Sequence, residues 1–346
     1  MPVISAFFNI LLRSPLNLQD TIACEQLGLI LKVLVTGSAG MLGSNLLREL
    51  NSSSENVVVG LSRSDLDLGD PDAFRKILDL EKPDALIHAA AKVGGIQANI
   101  RNPFEFLASN LSMDTNVIQA CVSAGVPNML YLGSSCMYPK NYRQPLSEGD
   151  LLAAPLEPTN EGYAIAKIAG SKLCEYASAS FGLNYRTIIP SNLYGPGDNF
   201  STDSSHLIAS VIRKVHNAKV AGDPNIEVWG SGSATREFTY IGDLASWVAR
   251  SVAKIHELPA RLNLGSSQGY SIDEFYAAAM SALEYEVPLV HDLSKPEGMT
   301  AKLMDSTKAR LHHGWDPKTD LVSGLKITYQ WFLESEAKGC KSINIH

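Results

Sequence analysis

The sequence predicts an α/β fold: a doubly wound parallel sheet followed by a smaller C-terminal α+β region. Three observations carry this prediction. Apolar, β-rich runs alternate with helix-period segments from Leu29 to about Pro190. A Gly37-x-x-Gly40-x-x-Gly43 turn joins the first run to the first helical pattern. Beyond Pro190 the alternation gives way to short mixed signals broken by Gly195-Pro-Gly197, Gly222-Asp-Pro224 and Gly230-Ser-Gly232.

The elements follow in order. Leu29 to Thr36 reads as the first strand, and Leu42, Leu46, Leu47 and Leu50 share one face of the helix after the turn. Val57 to Leu61 is a second strand and Pro71 to Leu80 a helix. Asp84 to Ala90 is a strand, Met113 to Ala124 a helix, and Met129 to Leu132 and Tyr185 to Ile189 two more strands. Binding residues in such a sheet belong at the carboxyl ends of its strands. The expected organisation is an N-terminal extension over 1–28, a dinucleotide-binding unit over 29–195 with 237–260, and a substrate-binding unit over 196–236 and 261–346. The extension carries an apolar stretch, Val3 to Leu12, without the basic lead and small-residue cleavage site of a secretory signal; no role is assigned to it.

Bulk composition narrows the function classes. A net charge of -7 with no dominant basic patch excludes a general nucleic-acid binder. Five cysteines without a C-x-x-C spacing indicate neither a disulfide framework nor a metal site, and imply a reducing, cytoplasmic setting. No apolar run reaches the roughly 18–20 residues of a membrane span.

The chemistry concentrates in two places. Gly133-Ser-Ser-Cys-Met-Tyr-Pro139 follows a buried strand and sets a hydroxyl, Ser134, two residues before a thiol, Cys136. Tyr163 and Lys167 are spaced i, i+4 on a helix started by Thr159 or Asn160, so their side chains share a face. A phenol titrates near 10 in water, and a neighbouring ammonium is expected to bring it down toward the working range. Tyr163 and Ser134 would then hold a substrate oxygen while hydride transfer develops charge on it. The glycine turn leaves helix N–H groups for a dinucleotide's phosphates. Ser62-Arg63-Ser64 ends the second strand, where a basic residue meets the 2′-phosphate of NADP and an acidic one would accept the ribose hydroxyl of NAD. NADP(H) is therefore the expected cofactor.

The glycine spacing resembles that of extended short-chain dehydrogenases/reductases. Ala89 to Ile96, Gly133 to Lys140, Glu157 to Glu161, Tyr163 to Gly170, Asn192 to Pro196, Asp198 to Phe200 and Val228 to Gly232 resemble the GDP-L-fucose synthase family within that superfamily, from about residue 31 onward. The resemblance implies a Rossmann-type fold and a GDP-4-keto sugar epimerised at C3 and C5 and reduced at C4. It implies that Cys136 and His206, in Ser-His-Leu-Ile, exchange the protons during inversion, alongside the Ser134, Tyr163 and Lys167 machinery. It places the cofactor on Gly37, Ser38, Gly40, Met41, Leu42, Gly43, Arg63, Asp67, Leu68, Ala90, Lys167, Pro190, Asn192, Leu193 and His206. Lys214, Trp229, Arg236 and Lys302 would bind substrate, and a homodimer is implied by analogy. Two departures stand out: Ala39 occupies a turn position where some relatives carry Arg, and Gly162 precedes Tyr163 where Pro is common. The substituent at sugar C3 stays open, so a GDP-colitose-type synthase is the alternative. A nucleotide-sensing regulator is the reading from a different class, but such proteins lose the Tyr or Lys that this chain keeps.

Overall fold

A computed structural model describes residues 30–52, 56–201, 205–295 and 299–337; the extension over 1–28 lies outside the described residues. The first half runs β1 (Leu31–Thr36), α1 (Met41–Ser52), β2 (Asn56–Leu61), α2 (Pro71–Glu81), β3 (Ala85–His88), α3 (Ile96–Arg101), α4 (Pro103–Ala124), β4 (Asn128–Leu132), α5 (Glu161–Phe181) and β5 (Asn184–Pro190). The second half runs β6 (Asn192–Tyr194), α6 (Leu207–Ala221), β7 (Ile226–Trp229), β8 (Thr235–Tyr240), α7 (Ile241–Ser251), β9 (Arg261–Leu264), β10 (Gly269–Ser271), α8 (Ile272–Leu283), β11 (Leu289–Asp292), β12 (Ala301–Lys302), α9 (Thr307–His312) and α10 (Leu321–Ala337).

Six strands form one sheet in the order β2-β1-β3-β4-β5-β9, every neighbouring pair parallel. Side-chain alternation sends Val33, Val35, Ile87, Leu130 and Ile188 to one face, against Leu46 and Leu50 of α1 and Leu244, Trp247 and Val248 of α7. Leu34, Leu86, Met129 and Tyr131 point to the other face, against Phe74 and Leu78 of α2, Val117 and Ile118 of α4 and Cys174 of α5. Both faces are covered, which is why these strands read as unbroken apolar runs. Each fully buried aliphatic side chain stabilises the layers by about 1.5–3 kcal/mol. The strand order reverses between β1 and β3, opening a crevice at their carboxyl ends. The second region holds a β10-β8-β12 sheet, with β6 also on β8, and a separate β11-β7 pair. Its core gathers Ile208 and Ile212 of α6, Phe275 of α8 and Leu325 and Phe332 of α10.

One helix start differs from the sequence reading. The helix expected over 113–124 begins at Pro103, with that proline in its first turn. Its buried stripe includes the polar Asn110 and Asp114 beside Val117 and Cys121, which hid the period of its first half. In the second half of the chain, β8 spans 235–240 within the second sheet, whereas β9, over 261–264, is an edge strand of the large one. No helix of the described residues is long and apolar enough to cross a membrane.

Candidate active site

The glycine turn leaves β1 at the crevice. Gly37 has φ +72° and lies against β3's exit, where an added Cβ would stand 2.7 Å from the Ala90 backbone. A Cβ on Gly43 would stand 2.1 Å from the Gly37 carbonyl oxygen. Only glycine permits this compression, which aims the start of α1 into the crevice. The first turn of α1 carries no acidic residue to compete with a bound phosphate. A dinucleotide diphosphate therefore fits this cradle. Ser38 N–H donates to the Leu61 carbonyl at 3.1 Å, tying the turn to the end of β2. Met41 and Leu42 open α1, and Arg63 is exposed just past β2. An acidic residue does stand nearby, Asp65, but it is spent locally. Its carboxylate accepts from Ser62 N–H at 2.8 Å and from the Ser62 hydroxyl at 2.5 Å. Asp67 likewise accepts from Gly69 N–H at 2.8 Å, while Leu68 is buried. Pro190 ends β5, and Asn192 and Leu193 open β6 just beyond it, where Asn192 donates to the Glu237 carbonyl at 3.2 Å.

Ser134 caps a single 3-10 turn (Ser135–Met137), its hydroxyl accepting from Cys136 N–H at 3.2 Å. Tyr163 sits in the first turn of α5, and Lys167 one turn on is 1% exposed. The sequence led us to expect a Tyr163 phenol lowered by Lys167; the structure places it higher than usual. Burial is the main cause, a negative charge on Cys136 or Asp114 adds to it, and a hydrogen bond with Ser134 opposes it. Lys167 does not offset this burial: its ammonium is engaged by Asp114 at 3.5 Å and lies 4.6 Å from the Tyr131 ring centroid. Gly162 also finds its reason here. A Cβ at that position would lie 2.7 Å from the Pro103 carbonyl oxygen, so glycine lets α4 and α5 start in contact.

Asp114 was missed by the sequence reading. Fully buried, it accepts from His88 Nε2 at 3.0 Å and from the Tyr131 hydroxyl, besides meeting Lys167. Burial would raise its carboxyl, but Lys167 and these two donors hold it below the usual carboxylate range. A carboxylate only accepts, so His88 carries its proton on Nε2, and Nδ1 accepts from the Thr36 hydroxyl at 2.7 Å. Burial, against the pull of Asp114, keeps this imidazole below its ordinary value and neutral. The chain Thr36–His88–Asp114–Lys167 thus links the residue before Gly37 to the first turns of α5. The available signal was a lone acid on an apolar helical stripe.

Cys136 is partly accessible, and Asn160 Nδ2 donates to its sulfur at 3.2 Å. Asn160 is the residue before α5, as expected, yet its side chain makes no capping bond to that helix. His206 stands exposed at the start of α6. It faces Asp198, a 6% exposed carboxylate whose Oδ2 has no hydrogen-bond partner. Burial pushes the Asp198 carboxyl up to about 6, with His206 pulling the other way.

The predicted substrate residues line the second region. Trp229 is 58% exposed, which removes it from the core, and its Nε1 donates to Glu227 at 2.9 Å. Lys214 Nζ lies 5.3 Å from its ring centroid and Lys295, absent from the sequence reading, 5.5 Å. Arg236 on β8 and Lys302 on β12 are register partners and so share one face of the sheet. Arg236 donates to the Thr235 and Met299 carbonyls at 2.8 and 2.6 Å. Burial lowers its guanidinium, opposed by Glu157. Among the described residues no His, Cys, Asp and Glu side chains cluster to hold a metal ion.

A doubly wound sheet with a glycine cradle at its switch point, facing a Ser, Tyr and Lys cluster, defines a nicotinamide-dinucleotide enzyme of the extended short-chain type. The description of the NAD dependent epimerase/dehydratase family matches residues 33–265, and the chain belongs to that family. It is 41% identical over 307 residues to GDP-L-colitose synthase of Yersinia pseudotuberculosis, covering 88% of this chain and 99% of that one. It is 40% identical over 314 residues to GDP-L-fucose synthase of Escherichia coli K12, covering 88% and 97%. Among solved structures, a GDP-L-fucose synthetase from Naegleria fowleri bound to NADP superposes with a TM-score of 0.80 at 27% identity, covering 88% and 93%.

Proposed function

We propose that this chain converts GDP-4-keto-6-deoxy-D-mannose to GDP-L-fucose by inverting C3 and C5 and then reducing C4. The observation that carries the reading is a partly accessible thiol, Cys136, beside the Ser134 and Tyr163 hydroxyls that a reductase needs. A reductase alone has no use for it. The relatives at about 40% identity support the substrate class. A C4 ketone acidifies the protons on C3 and C5, so each centre can invert through an enolate. Ser134 and Tyr163 would hold the enolate oxygen, and Cys136 and His206 would exchange the carbon-bound protons. A thiol and an imidazole are both side-chain groups able to give and take a proton in such a step. Tyr163, kept protonated by its surroundings, would then give its proton to C4-O. Bound NADPH supplies the hydride. Lys167 orients the cofactor side of the site, Arg63 would meet the 2′-phosphate, and Arg236, Lys302, Lys214 and Trp229 would hold the GDP moiety.

The Yersinia relative favours a second reading, a GDP-4-keto sugar with a different substituent at C3. Incubation with GDP-4-keto-6-deoxy-D-mannose and NADPH in deuterated water, followed by NMR, tests the first. Deuterium at C3 and C5 of a GDP-L-fucose product is expected; a reduced product with neither position labelled sinks the reading.

The protein would act as a homodimer in the cytoplasm. Ile96 and Ile100 of α3, Phe104 of α4 and Ile165, Tyr176 and Phe181 of α5 are exposed, an apolar surface suited to a second copy. The free thiols Cys121, Cys136 and Cys174 suit a reducing compartment. Light scattering at the mass of two chains is the expected result.

A further inference from the structure

We propose that Asn160 is a positioning residue for proton exchange at Cys136, its side-chain amide fixing the sulfur in place and stabilising its anionic form. The inference rests on the epimerase reading of Cys136 given above. Asn160 occupies the residue before α5, where Asn ordinarily accepts a hydrogen bond from the helix's own first turn. It makes no such bond; its Nδ2 reaches back 24 residues to the Cys136 sulfur at 3.2 Å. A neutral thiol is a weak acceptor, whereas a thiolate is a strong one. A donor held on the sulfur therefore favours the charged form.

Three further observations support the assignment. The Cys136 backbone N–H is bound by the Ser134 hydroxyl at 3.2 Å, so residue 136 is held at its backbone and again at its sulfur. Asn160 Oδ1 is buried without a hydrogen-bond partner, so within the protein the amide is oriented by the sulfur and not by its own oxygen. The turn that carries Asn160 is braced by Glu157, which pairs with Lys140 at 3.2 Å and accepts from the Thr159 hydroxyl at 3.4 Å. The Glu157 to Glu161 string thereby acquires a purpose that the reductase machinery does not need. Tyr163, three residues on, is the titratable group that α5 turns toward Cys136.

In the step itself the thiolate takes a proton from the carbon beside the carbonyl and becomes a thiol. The C–H electron pair moves into an enolate whose oxygen lies at Ser134 and Tyr163. His206 returns a proton to the opposite face, and exchange with solvent then takes the proton off the Cys136 sulfur and restores the one on His206, so the inversion is completed with no net change in charge or oxidation state.

The test is site-resolved alkylation of the full-length protein by iodoacetamide from pH 6 to 9, with the Cys136 peptide quantified by mass spectrometry. Cys121 and Cys174 are buried with their thiols pushed up, so they react slowly. Asn160→Ala is expected to slow Cys136 alkylation at pH 7 by about three- to tenfold and to move its pH midpoint upward. Asn160→Asp, which sets a carboxylate by the sulfur, is expected to slow it further. Deuterium wash-in at C3 and C5 should fall in parallel, with NADPH affinity and melting temperature unchanged. An alkylation profile identical to wild type overturns the inference and leaves the epimerase reading intact. Slowed alkylation with full wash-in also overturns it. A wild-type protein that washes in no deuterium overturns the epimerase reading instead.

Discussion

Replacing Asp114 with Asn probes the frame beneath Lys167. The carboxylate is fully buried and faces three donors: His88 Nε2 at 3.0 Å, Lys167 Nζ at 3.5 Å and the Tyr131 hydroxyl. Asn keeps the shape but offers one acceptor oxygen and an NH2 group, so a donor is set against a donor. The larger loss is electrostatic, because a buried ammonium remains with no anion. Removing one partner of a buried pair destabilises by about 3–5 kcal/mol. The Tyr131 ring, 4.6 Å from the ammonium, is present with or without the carboxylate and so leaves the difference near the low end of that range. The expected net loss is about 3 kcal/mol in urea denaturation at pH 7. Lys167→Met removes the stranded charge, so the double variant should be at least as stable as Asp114→Asn alone, a coupling of about 2 kcal/mol. A loss under about 1 kcal/mol, or additive single effects, would refute the reasoning.

Three other outcomes follow from the geometry. Gly43→Ala forces a Cβ to 2.1 Å from the Gly37 carbonyl oxygen; NADPH affinity, read by fluorescence titration, should drop at least about tenfold, and an unchanged value contradicts the cradle. Trp229→Ala removes the exposed ring flanked by Lys214 and Lys295; GDP affinity by calorimetry should fall about tenfold while NADPH affinity holds. Glu237 is 1% exposed, and burial raises its carboxyl to about 7 despite donors from Ser267 N–H and Met304 N–H. A carboxyl raised above its unfolded value near 4.3 loses stabilisation as pH climbs through both values. The stability gap between wild type and Glu237→Gln should therefore move toward the variant by about 1 kcal/mol from pH 6 to pH 8, and a flat difference would count against it.

What the sequence disclosed and what it concealed divide along sequence distance. β1, the glycine turn and α1 were legible because strand, turn and helix signals lie in one stretch and the turn needs glycine at fixed offsets. Tyr163 and Lys167 were legible because helical geometry alone sets i and i+4 on one face. Ser134 and Cys136 were legible because a strand ends just before them. The start of α4 was not, since Asn110 and Asp114 put polar side chains where the period calls for apolar ones.

The residues packed behind the proposed site lay beyond local reading because each meets a partner distant in sequence. Asp114 meets Lys167 across 53 residues, His88 meets Asp114 across 26, and Asn160 meets Cys136 across 24. No local propensity marks such a pair; its only trace is a residue that breaks its own element's rule. Asp114 breaks an apolar stripe, Asn160 stands at a helix start without capping it, and Gly162 weakens a helix's first turn. In each case the local loss is offset by a contact the fold brings from elsewhere. Polar residues that violate their local pattern are therefore where second-layer chemistry should be sought in this family. By that criterion Asp198, buried with its Oδ2 lacking a hydrogen-bond partner in the protein, breaks its local pattern as Asp114 and Asn160 do.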